Sequence, residues 1–180
     1  MRWFWIDRFL AFHRGSHAVA VKTISLSDHE IADHFPAYPL MPSSLIVEGL
    51  AQAGGLLVSD CRGFRDRVVL AKVSRAVFHR VARPGETLTY TVHLESLQPD
   101  GAMVRGESRL GEHLQAEAEL YFGFLEDRAL PRDLFEPADL LRMLRVFAMY
   151  DVGQDEQGRP LDIPPRLLAA ERSQNQMPAV

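Results

Sequence analysis

Cysteine is almost absent, with Cys61 the only one in 180 residues. A lone thiol makes no internal disulfide, and without a Cys-x-x-Cys pair there is no thiolate cage for zinc. Such usage is expected in a reducing compartment, so the protein is expected in the cytoplasm. Long apolar runs are also missing. The aromatic stretch Trp3-Phe4-Trp5-Ile6 is interrupted at once by Asp7 and Arg8, unlike the continuous apolar core of a signal peptide. Nowhere do about 18 apolar residues run together, so no membrane-spanning helix is expected. No block of five like charges occurs, and the net charge is -4. That balance argues against a nucleic-acid binder, which needs a basic footprint. His13, His17, His29, His79, His93 and His113 follow no metal-ligand spacing, and no metal is expected.

What remains is a chain long enough for one buried core, with room for a small appendage. Residues 3–12 and 18–24 read as two strands joined by Arg14-Gly15-Ser16-His17. Residues 27–42 read as a loop, because Pro36, Pro39 and Pro42 each oppose a regular helix or central strand. Residues 43–59 read as a helix, with Ser43 and Ser44 as candidate N-caps. It is apolar nearly all round, so it is expected to be buried. Four strands follow, over 68–81, 87–95, 102–110 and 113–125. The pattern of Leu88, Tyr90, Val92 and Leu94 against polar neighbours is clean period-two alternation. A second amphipathic helix is predicted over 137–150 and a helical turn at 167–172. Much of the remaining tail is expected to be disordered. One apolar helix with a curved antiparallel sheet wrapped around it accounts for this order, an α+β architecture of the hotdog type. The expected division is residues 1–130 for that unit and 131–180 for a C-terminal helix and tail.

One charge stands out on the helix. Between Pro42 and Ser59, Glu48 is the only ionisable residue. A carboxylate inside an apolar helix is costly unless it is paired or hydrogen-bonded. Gln52 lies one turn later on the same face, so the two form a short polar stripe. The upstream loop, carrying His34, is the candidate to face it.

The stretch from Asp33 to Gln52 supplies the context. Its His34-Phe35-Pro36, Pro39, Met41-Pro42, Leu45, Glu48 and Ala51-Gln52 resemble, in register, the signature of the β-hydroxyacyl-(acyl carrier protein) dehydratases, the FabZ/FabA family. The segment from Ala71 to Leu88, with Phe78, Val81 and Pro84-Gly85-Glu86-Thr87-Leu88, resembles that family's second block, a basic and aromatic strand followed by a Pro-Gly turn. The resemblance covers roughly residues 15–125. Ala37 and Ser43 stand where the family has glycine, Gly49 replaces alanine and Glu86 replaces aspartate. The last two changes are expected to be mild. Ala37 matters if that position needs a positive φ, which alanine tolerates poorly.

The resemblance implies a hydro-lyase removing water from a 3-hydroxyacyl thioester held on acyl carrier protein, with no cofactor. His34 would be the general base and Glu48 the general acid, its pKa raised by burial. The Ser43 backbone N–H would face the thioester carbonyl, and Gln52 would orient Glu48. Phe35 and Tyr38 are candidate substrate-binding residues; Tyr38, between two prolines, would either gate the site or simply pack. The family further implies a site shared between two chains, hence a homodimer or a trimer of dimers. Arg62, Arg65, Arg67, Lys72, Arg75, Arg80 and Arg83 enrich one region in positive charge, which suits an acidic carrier protein as well as an ordinary solvated surface. A second reading is a divergent hotdog protein that binds acyl chains or assembles with an active dehydratase.

Overall fold

A computed structural model describes residues 3–34, 36–125 and 136–175. The chain runs β1 (Arg8–His13), β2 (His17–Thr23), α1 (His29–Ala32), α2 (Ser43–Cys61), β3 (Arg67–Phe78), β4 (Thr87–Leu97), β5 (Gly101–Leu110) and β6 (His113–Leu125). After these come α3 (Pro137–Val146), α4 (Met149–Val152), β7 (Gly153–Gln154) and α5 (Pro165–Asn175). The strands form a single sheet in the order β3-β6-β5-β4-β2-β1-β7. All pairings are antiparallel except the short parallel contact of β7 with β1.

Helix α2 lies on the inner face of this sheet. Leu45, Ile46, Leu50, Ala53, Leu57 and Val58 are buried on it. They meet the inward-facing residues of the alternating strands, among them Phe9, Ala20, Leu88, Tyr90, Val92, Val104 and Leu120. Fully burying one such large aliphatic side chain contributes about 1.5–3 kcal/mol, so this layer is the main source of stability.

Several sequence expectations shift in detail. Residues 3–7 precede β1 rather than belonging to it, and α2 runs two residues further, to Cys61. Neither Ser43 nor Ser44 caps α2; the N-cap is Pro42, without a side-chain cap, and its carbonyl accepts from the N–H groups of Leu45 and Ile46. Within the segment read as loop, His29–Ala32 forms one helical turn because Ile31 can be buried there. The helix expected over 137–150 breaks at Phe147 and Ala148, and Ala148 adopts a left-handed φ of 55°. The tail expected to be disordered contains β7 and α5, while residues 176–180 lie outside the described residues.

The C-terminal elements are not a detached appendage. Leu141, Leu144, Phe147, Met149 and Leu167 belong to the same apolar cluster as the sheet and α2. They cover the β1 edge. At the opposite edge β3 pairs with no further strand among the described residues, and Leu70, Val73, Phe78 and the neighbouring Tyr121 are each about 40% exposed there.

Candidate active site

Glu48 sits on the second turn of α2 and is half-buried within one chain. The polar stripe expected from spacing is present: Gln52 Nε2 donates to Glu48 Oε1 at 2.9 Å. Gln52 does more than spacing suggested. Its Oε1 accepts from the Trp5 N–H at 2.8 Å, and its Nε2 also donates to the Trp3 carbonyl at 2.9 Å. Residues 3–5 are therefore strapped across the helix beside Glu48. This contact has no signature in the sequence, because main-chain groups of any residue types could make it.

Gly49 is what lets that strap and the sheet come so close. A Cβ at this position would stand 2.5 Å from Tyr90 Cε2 and 2.8 Å from the Trp5 carbonyl oxygen. The change from alanine, expected to be mild, is therefore a consequence of packing: Tyr90 occupies the space a methyl would need. Burial pushes the Tyr90 phenol well above its ordinary range, so it stays protonated.

The buried carboxylate on α2 is not Glu48 but Asp60, just past the stretch that drew attention. Its side chain is fully inaccessible and takes a bidentate ion pair from Arg14, at 2.7 Å to Nε and 2.9 Å to the terminal nitrogen. The pair staples the C-terminal end of α2 to the β1–β2 turn.

His34 is exposed and follows α1, on the segment leading to α2. That segment is anchored at both ends. Ile24 is bonded to the β3–β4 connection, its N–H donating to the Glu86 carbonyl and its carbonyl accepting from the Gly85 N–H, and the Met41 N–H donates to the Ala82 carbonyl at 2.8 Å. Between these ties, Arg83 stacks over the Tyr38 ring, 4.2 Å from its centroid, and also donates to its hydroxyl. Upstream, Lys22 lies 3.5 Å from Asp28, the residue that precedes α1. Ala37 is not among the residues with positive φ, so alanine there carries no backbone strain. Ser43 is the first residue of α2, exposed at the positive end of the helix. Phe35 lies outside the described residues.

In the basic region Arg62 is paired with Asp66, and Arg75 with Glu117 at 3.0 Å. Lys72 instead lies over the Tyr121 ring. An open pocket of about 560 Å³ is lined by Arg80, Val81, Glu86, Thr87, Leu110, Gly111 and His113. It includes neither His34 nor Glu48. Among the described residues, no group of three or more His, Cys, Asp or Glu could hold a metal.

Comparison with known proteins decides the family. The FabA-like domain matches residues 4–110, more than half of the chain. The chain belongs to the FabZ/FabA-like dehydratase family. A 3-hydroxyacyl-[acyl-carrier-protein] dehydratase FabZ of Caldanaerobacter subterraneus is 33% identical over 123 residues, 68% of this chain and 87% of the relative. Its counterpart in Pelotomaculum thermopropionicum is 37% identical over 118 residues, 65% of this chain and 84% of the relative. Among solved structures, the Campylobacter jejuni protein Cj0977 superposes with a TM-score of 0.57 at 10% identity, covering 71% of this chain and 82% of its own. The Streptococcus mutans protein smu.793, bound to acetyl CoA, gives 0.56 at 17% identity, covering 69% and 93%. These two likenesses establish the hotdog fold. The family match stops short of α3, so the C-terminal elements lie outside it.

Proposed function

We propose that this protein is a 3-hydroxyacyl-(acyl carrier protein) dehydratase of fatty acid or related lipid biosynthesis, with His34 and Glu48 as its reacting pair. The observation that carries the reading is the Glu48–Gln52 hydrogen bond on the second turn of α2, inside the motif that begins at His34. In this scheme the neutral His34 imidazole takes the α-proton of the 3-hydroxyacyl thioester, which the carbonyl has acidified. The electron pair forms the new double bond as the C3–O bond breaks. The departing hydroxyl takes a proton from Glu48 and leaves as water, and the trans-2-enoyl thioester remains. The N-terminus of α2, with the Ser43 N–H, faces the thioester oxygen as negative charge develops on it. Tyr38 and Phe35 flank the substrate.

Two copies of the chain complete the site, His34 from one and Glu48 from the other. The edge strand β3, with Leu70, Val73 and Phe78 exposed along it, supports pairing of two copies strand to strand. The basic side chains on and around β3 favour an acidic carrier protein over free thioester. No helix among the described residues is long and apolar enough to cross a membrane, and the single cysteine favours the cytoplasm. The divergent, non-catalytic reading is motivated by Ala37, Ser43 and the added C-terminal helix, and the ordinary backbone at Ala37 removes the first of these supports.

Turnover of a 3-hydroxyacyl thioester on carrier protein, followed by enoyl absorbance, tests the proposal. Wild-type protein should act, and His34→Ala and Glu48→Gln should each lose about 10²- to 10⁴-fold, the range of a removed general acid or base. A folded wild-type protein inactive on all chain lengths tried would sink it.

A further inference from the structure

The C-terminal elements lie outside the family match, yet one of their side chains connects by contacts to Glu48. Gln52 is the first link. Its amide has one carbonyl acceptor and two N–H donors, and all three are used: Trp5 N–H on the oxygen, Trp3 carbonyl and Glu48 on the nitrogen. A backbone N–H must meet the amide oxygen, so the Trp5 contact fixes which way the amide points. The nitrogen is then held toward Glu48. A donor on Glu48 Oε1 reserves that oxygen as acceptor and leaves the acid's proton to Oε2.

The second link is the strap itself. Trp3 and Trp5 flank Phe4 in the chain, and their own rings meet edge-on with centroids 5.3 Å apart. The Phe4 ring packs edge-on against Phe147, with centroids 5.0 Å apart and an interplanar angle of 79°. Phe147 is 2% exposed and closes the end of α3. Its carbonyl accepts from the Phe9 N–H at 2.8 Å, which ties the C-terminal elements to β1 as well. The left-handed Ala148 ends the helical path immediately after this residue.

Resting on the reading of Glu48 as the acid, we propose that Phe147 and Phe4 are positioning residues for Glu48, acting through the strap at residues 3–5 and the Gln52 amide. The C-terminal elements thereby do a task for catalysis without touching substrate. When the aromatic contact is lost, the strap loosens, Gln52 is free to rotate, and Glu48 no longer presents its proton in one orientation. Binding of the thioester does not depend on this chain of contacts, so the effect falls on kcat.

The test is a double-mutant cycle in the full chain. Phe4→Ala should lower kcat about 2- to 10-fold, the range of one aromatic pair, with KM changed less than about twofold. Gln52→Ala should lower it at least as far. The double variant should be no worse than Gln52→Ala alone, since the strap then has nothing to orient. Melting curves confirm that each variant is folded. If Phe4→Ala does not fold, the milder Phe147→Leu, which removes the ring but keeps an apolar side chain, takes its place in the cycle. The side-chain amide protons of Gln52, observed by NMR, give a readout independent of turnover. They should be dispersed in the wild type and move toward free-amide positions in Phe4→Ala. Losses that multiply, or a folded Phe4→Ala with unchanged kcat and unchanged Gln52 amide signals, would overturn the inference. An inactive wild type would instead overturn the dehydratase reading, while the NMR comparison would still decide the coupling.

Discussion

Replacing Gly49 by alanine sets two effects of known size against each other. In an exposed helix the change gains about 0.8–1 kcal/mol, because glycine is the poorer helix former. Here the added methyl would stand 2.5 Å from the Tyr90 ring and 2.8 Å from the Trp5 carbonyl oxygen. The Tyr90 side chain is fully buried and has nowhere to swing. The other obstacle is main chain, which does not rotate away. Overpacking of this kind costs about 1–3 kcal/mol. Crowding should therefore win, with a net loss of up to about 2 kcal/mol. In a chain of this size that is a melting temperature lower by up to about 8 °C. Thermal unfolding by circular dichroism measures it, and urea titration checks that cooperativity is kept. In a Tyr90→Leu background the alanine should cost less, because the ring it strikes is gone. An alanine variant that melts at or above the wild-type temperature would refute the close approach of strap, helix and sheet.

Three further outcomes follow from the same geometry. Arg14→Ala leaves the inaccessible Asp60 carboxylate unpaired, a loss of about 3–5 kcal/mol by urea unfolding, and a loss below about 1 kcal/mol would contradict the staple. His17 stacks between His13 and His93, at 4.5 and 5.6 Å, and burial together with these neighbours lowers its pKa below the ordinary 6.5. The unfolded chain then binds the proton more readily, so the stability His17 confers is present above about pH 6.5 and lost as pH falls through the folded value. The drop in melting temperature between about pH 7.5 and about pH 5.5 should accordingly be smaller in His17→Gln than in the wild type, and an equal drop would contradict the shift. Arg83→Ala uncaps Tyr38 and should lower turnover about 2- to 5-fold, the scale of one exposed cation–π contact, and an unchanged rate would leave that stack without a part in holding the His34 loop.

The fold was legible in the sequence wherever period and burial coincide. The alternation from Thr87 to Glu95 and from His113 to Leu125 marks β4 and β6 because one face of each meets α2. The apolar run from Leu45 to Val58 marks α2 because its buried side is so broad. The turn of helix at His29–Ala32 was hidden among prolines and polar residues, since only Ile31 needs burial there. On α2, Glu48 and Gln52 were visible as a polar pair at helical spacing. Asp60 was not, because its partner Arg14 lies 46 residues away and only the tertiary fold brings them together. Gly49 looked interchangeable with alanine, since the space it leaves is filled by a tyrosine from another strand. The strap at residues 3–5 was out of reach for the same reason: Gln52 reads main-chain atoms, which no side-chain pattern announces.

The most direct test of His34 and Glu48 as one reacting pair divided between two chains is complementation. His34→Ala and Glu48→Gln chains, each inactive alone, are co-expressed with different tags, and the mixed dimers are isolated. One of the two sites in such a dimer carries both substitutions, and the other carries neither. Mixed dimers should regain about half of the wild-type turnover of 3-hydroxyacyl thioester per dimer. Mixed dimers as inactive as either parent would contradict a pair divided between two chains.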